Sequence, residues 1–100
     1  MFVHVVFFKF KDVRDAPEAR RRLESMDGEV PSLRRIEVGL DCVHSDRSWD
    51  MVLDTRFDHR AGYDAYATDA RHGEVLAFLK TVVAQSATVD YESSPSEPTP

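Results

Sequence analysis

The run from Phe2 to Phe10, FVHVVFFKF, limits the fold more than any other stretch of the chain, because it is β-branched or aromatic along both of its faces. Side chains alternate across a strand, so His4, Val6, Phe8 and Phe10 share one face while Val3, Val5, Phe7 and Lys9 share the other. A strand that is apolar on both sides has to be covered on both, which makes it central and gives it two surfaces to serve. The run is too short to cross a bilayer as a helix and no basic flank precedes it, so it reads as neither anchor nor signal segment.

A chain of 100 residues supports one hydrophobic core, so a single domain is expected. The balance of 42% hydrophobic and 31% charged residues is that of a globular protein folding in water. With 13 basic against 18 acidic residues the formal net charge is −5, a field that repels phosphate backbones and anionic membranes. Neither nucleic acid nor membrane is therefore expected as a partner, and a neutral or weakly charged small molecule fits better. Cys42 is the only cysteine, which excludes an internal disulfide and points to a reducing, cytoplasmic setting. Its simplest role is that of a small residue at a strand end.

Beyond the first strand, Asp15 as N-cap, Pro17 in the first turn and Glu18 three residues on from the cap form a helix start. Ala19, Leu23, Met26 and Val30 make one apolar stripe, so a helix is predicted from about Pro17 to about Glu29. Arg20, Arg21 and Arg22 fan round that helix and read as a solvated face. A second strand is predicted over Leu33 to Val43, with Gly39 marking a bulge or a close backbone approach, and a third over Trp49 to Phe57. The polar segment between them makes the pair a hairpin. Asp58 is placed to cap a second helix from about His59 to Thr68, carrying Tyr63 and Tyr66 on one side. Val75, Leu76, Phe78, Leu79, Val82 and Val83 predict a third helix from near His72 to about Ala84. The last strand runs from Ser86 to Glu92, with Ala87, Val89 and Tyr91 on one face and Ser86, Thr88 and Asp90 on the other. Residues 93–100, with three prolines and no anchoring apolar side chain, are expected to be a disordered tail beyond a domain of residues 1–92.

The order β-α-β-β-α-(α)-β is the split βαβ pattern of an α+β, ferredoxin-like fold with a four-stranded antiparallel sheet. Its helices cover one face only. The other face carries Val3, Val5, Phe7, Val89 and Tyr91, too contiguous an apolar surface to leave wet in a monomer. Sheet-to-sheet packing in a two-fold homodimer closes it.

The opening Phe2 to Lys11, the Glu37-Val38-Gly39 step, the spacing of Tyr66 to His72 and the closing Val89-Asp90-Tyr91 together resemble the stress-responsive A/B barrel family of dimeric α+β barrels. The resemblance spans roughly residues 1–92. Where members of that family often have His-Pro-x-His leading into the third helix, this chain has Asp69-Ala70-Arg71-His72, so only the second histidine is kept. The family's enzymatic relatives include plant polyketide cyclases that close rings by aldol chemistry with a histidine, an aspartate and a tyrosine. The resemblance carries those roles to His72, Asp90 and Tyr66, with His4 as a further polar group in the cavity.

The chemistry of such a set is straightforward. A histidine titrating near neutrality takes a proton from a carbon beside a carbonyl, a carboxylate on its other nitrogen fixes the tautomer, and a tyrosine hydroxyl holds the oxygen as it gains charge. No metal or organic cofactor is needed, and the spacing of His4, His72 and Asp90 does not favour a metal site. Val6, Phe8, Tyr63, Phe78 and Thr88 are the expected lining of an apolar ligand pocket, together with His4. The competing expectation is a non-catalytic, stress-associated or ligand-binding dimer in which His72 and Asp90 only tie the third helix to the last strand. A third, from other dimeric α+β barrels, is a cofactor-independent monooxygenase or haem-degrading enzyme, for which no residue stands out as an axial ligand.

Overall fold

The computed structural model describes residues 1–94. Along the chain come β1 (Phe2–Phe10), a 3-10 turn (Val13–Asp15), α1 (Ala16–Glu24), β2 (Arg35–Leu40), β3 (Met51–Phe57), α2 (Arg60–Ala67), α3 (Ala70–Val82) and β4 (Val83–Glu92). The strands form one antiparallel sheet in the order β2-β3-β1-β4, which puts the doubly apolar β1 in the interior. This is the ferredoxin-like architecture that the sequence pattern predicts.

All three helices lie on the face of Phe2, Val6, Phe8 and Phe10, whose side chains are buried with Leu23, Met26, Leu53, Phe57, Tyr66, Val75 and Leu79. Each large apolar side chain removed from water here is worth about 1.5–3 kcal/mol. On the opposite face Val3 is fully buried in the ladder between Arg56 and Tyr91, whereas Phe7, Val89 and Tyr91 are exposed. The open apolar face is therefore real, and it narrows to a patch on β1 and β4.

Several element ends depart from the sequence reading. Asp15 makes no side-chain cap; Asp12 instead accepts from the Arg14 backbone N–H and starts the 3-10 turn ahead of α1. The helix stops at Glu24, where Ser25 Oγ donates to the Arg22 carbonyl, and the chain turns through Gly28 at φ 81°. Met26 and Val30 are still buried, so the stripe extends past the helix that was predicted to carry it. Asp58 does not cap α2 but pairs with Arg34 at 2.9 Å. Gly39 sits in regular pairing opposite Val52, where a Cβ would meet the Val52 side chain at 3.3 Å; the irregularity in the sheet falls instead at Lys9 and Phe10.

The largest departure is at the end of α3. Val83 was predicted helical, yet the helix passes straight into β4 at that residue with no connecting loop. At the other end of β4 Ser93 donates its backbone N–H to the Met1 carbonyl, one residue beyond the expected domain limit. The remainder of the predicted tail, residues 95–100, lies outside the described residues.

Candidate functional site

The sheet and α3 do not close on each other completely. Between them lies a cleft of about 520 Å³, within the range of small-molecule sites. Its apolar walls come from Val6 and Phe8 of β1, Leu23 of α1, Leu53 of β3 and Val75, Leu76 and Leu79 of α3. The polar groups of the lining are His4, Tyr66, His72, Lys80 and the β4 residues Gln85, Ser86 and Thr88.

His72 enters because Asp69 caps α3, accepting from the Arg71 N–H at 2.8 Å, and so fixes the first turn. Arg71 ties that turn to the end of α1 by donating from one guanidinium nitrogen to Ser25 Oγ at 2.5 Å. The His72 ring then lies 4.2 Å from that of Tyr66, centroid to centroid. Its Nδ1 is buried without a hydrogen-bond partner among the described residues. Burial disfavours the imidazolium and pulls the His72 pKa down, only partly opposed by the Ala67 carbonyl, with His4 adding to the depression.

Tyr66 is almost fully buried and packs against Phe57 and His72, with His4 edge-on at 6.2 Å. Burial drives its phenol pKa upward, so its hydroxyl stays a donor at any physiological pH. No hydrogen bond occupies that hydroxyl among the described residues.

Asp90 does not reach His72 as the family pattern implied. It sits directly opposite His4 in the β1–β4 ladder, and its Oδ1 lies 2.5 Å from His4 Nδ1. The carboxylate oxygen accepts a hydrogen bond from the His4 Nδ1–H. The geometric reason is the pleat: residues directly opposite on neighbouring strands project to the same face at short range. The imidazole with a carboxylate partner is thus His4, whereas His72 has none.

Two expected lining residues are elsewhere. Tyr63 packs against Phe2, His4 and Phe57 beside the cleft rather than in its wall. Phe78 turns towards α1, where the Arg22 guanidinium covers its ring at 4.0 Å. From the sequence, Leu76 reads only as helix stripe and Lys80 has no role, yet both line the cleft. His44 and His59 are exposed and lie outside the cleft lining. Among the described residues no three His, Cys, Asp or Glu side chains are grouped to hold a metal ion, and no helix is long and apolar enough to cross a membrane.

Comparison with known proteins places this geometry. The family model for the stress responsive A/B barrel domain matches residues 2–93. A dimeric protein of unknown function with a ferredoxin-like fold from Bacteroides fragilis superposes with a TM-score of 0.81 at 26% identity, covering 92% of this chain and 95% of its own. The hydroxynitrile lyase of Passiflora edulis superposes with a TM-score of 0.81 at 13% identity, over 97% of this chain and 96% of the lyase. An antibiotic biosynthesis monooxygenase has a TM-score of 0.76 at 14% identity, over 95% and 100% of the two chains. No curated protein matches the chain.

Proposed function

Since the chain belongs to the stress responsive A/B barrel domain family, we propose that it is a homodimer whose protomers each bind a small apolar carbonyl compound between sheet and α3, and that His72 acts on it as a general base. The observation that carries the reading is a half-buried imidazole, its pKa lowered by burial, in the wall of an open cleft with the Tyr66 ring against it. His72 takes a proton from the carbon beside the carbonyl, and the released electron pair moves onto the carbonyl oxygen, where the Tyr66 hydroxyl donates to it. In a substrate with a second carbonyl, the enolate carbon attacks it to form the new C–C bond, and the imidazolium returns its proton to the alkoxide. This is aldol ring closure without a cofactor. The homodimer is supported by the exposed Phe7, Val89 and Tyr91 and by the dimeric Bacteroides fragilis protein.

The hydrogen bond to Asp90 favours a second assignment within the same reaction, with His4 as the base and His72 as the neighbouring donor or acceptor. One experiment separates the two. Exchange of the α-hydrogens of 2-nonanone in D2O, followed by NMR, is expected to be faster with the protein than with free imidazole at equal concentration, and to fall by about 10²-fold or more when the base is lost. Loss in His72→Gln alone supports His72, and loss in His4→Gln alone moves the role to His4. No acceleration by the wild-type protein, with the ketone nevertheless bound, would leave a ligand-binding dimer in place of the enzyme.

A further inference from the structure

The cleft is unlike the rest of the molecule in charge. The chain carries 18 acidic residues and a net charge of −5, yet no carboxylate of the described residues lines the cleft; its titratable groups are Lys80, His4, His72 and Tyr66, with Asp90 bonded to His4 beside it. Lys80 is exposed on the last turn of α3 and makes no hydrogen bond or ion pair among the described residues, unlike Lys11, which donates to the Thr81 carbonyl, or Lys9, which covers the Trp49 ring.

Position along α3 gives the cleft a direction. His72, Leu76 and Lys80 follow at i, i+4 and i+8 and so form one ridge of the helix, with an axial rise of about 12 Å from first to last. Beneath that ridge β4 runs back from Val83 towards Thr88, and Val6, Val75 and Leu79 fill the wall between the two polar ends. At the Lys80 end Ser86, opposite Phe8 in the ladder, adds a hydrogen-bonding side chain.

We infer that the carbonyl compound is a single-chain carboxylate, with its anionic head at Lys80 and its apolar chain along the ridge bringing the carbonyl to His72 and Tyr66. This deepens the proposed function and rests on the cleft being a ligand site. A lone lysine neutralises one charge, which fits a monoanion. The separation corresponds to an extended chain of about ten bonds, at roughly 1.2 Å of advance per bond. The acidic exterior then repels the free ligand while the cleft attracts it, so the carboxylate is selected at the site rather than over the whole surface.

Decanoate and decanol have the same chain and differ in the charged head, so calorimetric titration of the full chain with each tests the inference. Decanoate is expected to bind about fivefold more tightly than decanol, a preference that shrinks as salt is raised. It should survive in Lys80→Arg and vanish in Lys80→Gln, with circular dichroism checking that both variants fold. Equal affinities in the wild-type protein, or a preference that persists in Lys80→Gln, would overturn the role of Lys80 while leaving the apolar cleft as a ligand site. Binding of neither compound would overturn both readings.

Discussion

Asp90 faces His4 across the β1–β4 ladder, 2.5 Å from Oδ1 to Nδ1, and this pairing takes the carboxylate away from His72. The two imidazoles of the cleft are consequently held differently. His4 has an anchoring carboxylate, and His72 has a buried nitrogen with no partner among the described residues.

A double-mutant cycle should read that difference directly. Asp90→Asn is expected to cost about 1 kcal/mol of stability, the value of a charge-assisted hydrogen bond discounted because the Asp90 side chain is about a third exposed (37%). The cycle between His4→Gln and Asp90→Asn should show a coupling of at least about 0.5 kcal/mol, whereas that between His72→Gln and Asp90→Asn should stay within about 0.3 kcal/mol. Coupling to His72 instead would restore the pairing implied by the family pattern.

The depressed pKa of His72 gives a second prediction. Its unfolded value is near 6.5 and its folded value lies lower, so the unfolded chain binds the proton more readily. The stability that depends on neutral His72 is fully present above pH 6.5 and is lost as pH falls from there through the folded pKa. Urea denaturation from pH 7.5 downward should therefore show a loss in the wild-type protein that is smaller in His72→Gln, and the His72 ring signals should titrate below 6.5 by NMR. A midpoint at or above 6.5 would contradict burial as the dominant influence.

Tyr66 allows its ring and its hydroxyl to be separated. The ring is in the core beside Phe57, so Tyr66→Ala should destabilise by about 3–5 kcal/mol. Its hydroxyl has no partner among the described residues, so Tyr66→Phe should change stability by less than about 0.5 kcal/mol. If the hydroxyl holds a developing oxyanion, the same variant should slow α-hydrogen exchange by about 10²-fold, a loss that stability cannot explain.

These residues also show where sequence reading succeeded and where it stopped. The strand faces and the order of elements were legible because alternation in β1 and the apolar stripe from Ala19 to Val30 are local patterns. Helix ends were not, since neither Asp15 nor Asp58 reveals from sequence whether its carboxylate turns to a backbone N–H or, as Asp58 does, to an arginine. The move from α3 to β4 lacked any glycine or proline to announce it, and β-branched Val82 and Val83 suit either state. In the site, His4, Tyr66, His72 and Thr88 all line the cleft, but the partner of Asp90 depended on the register of two strands far apart in sequence. Phe78 was misplaced because helical spacing alone does not say which of two neighbouring surfaces a flank side chain meets.

The exposed sheet face carries the last prediction. Val89 on β4 and Phe7 on β1 lie on the side away from the helices, 58% and 39% exposed, with Tyr91 beside them. Val89→Lys places a charge there without touching the helix-side core, so circular dichroism and the melting profile of the isolated protomer should change little. If the patch is the homodimer interface, that charge must be desolvated on association, a penalty large enough to outweigh the apolar area it replaces. Sedimentation velocity should accordingly show a dimer for the wild-type chain and a monomer for Val89→Lys, while Thr81→Lys, on an exposed position at the end of α3, stays dimeric. A dimer that persists in Val89→Lys would place the interface elsewhere, and the open apolar face would then need another explanation.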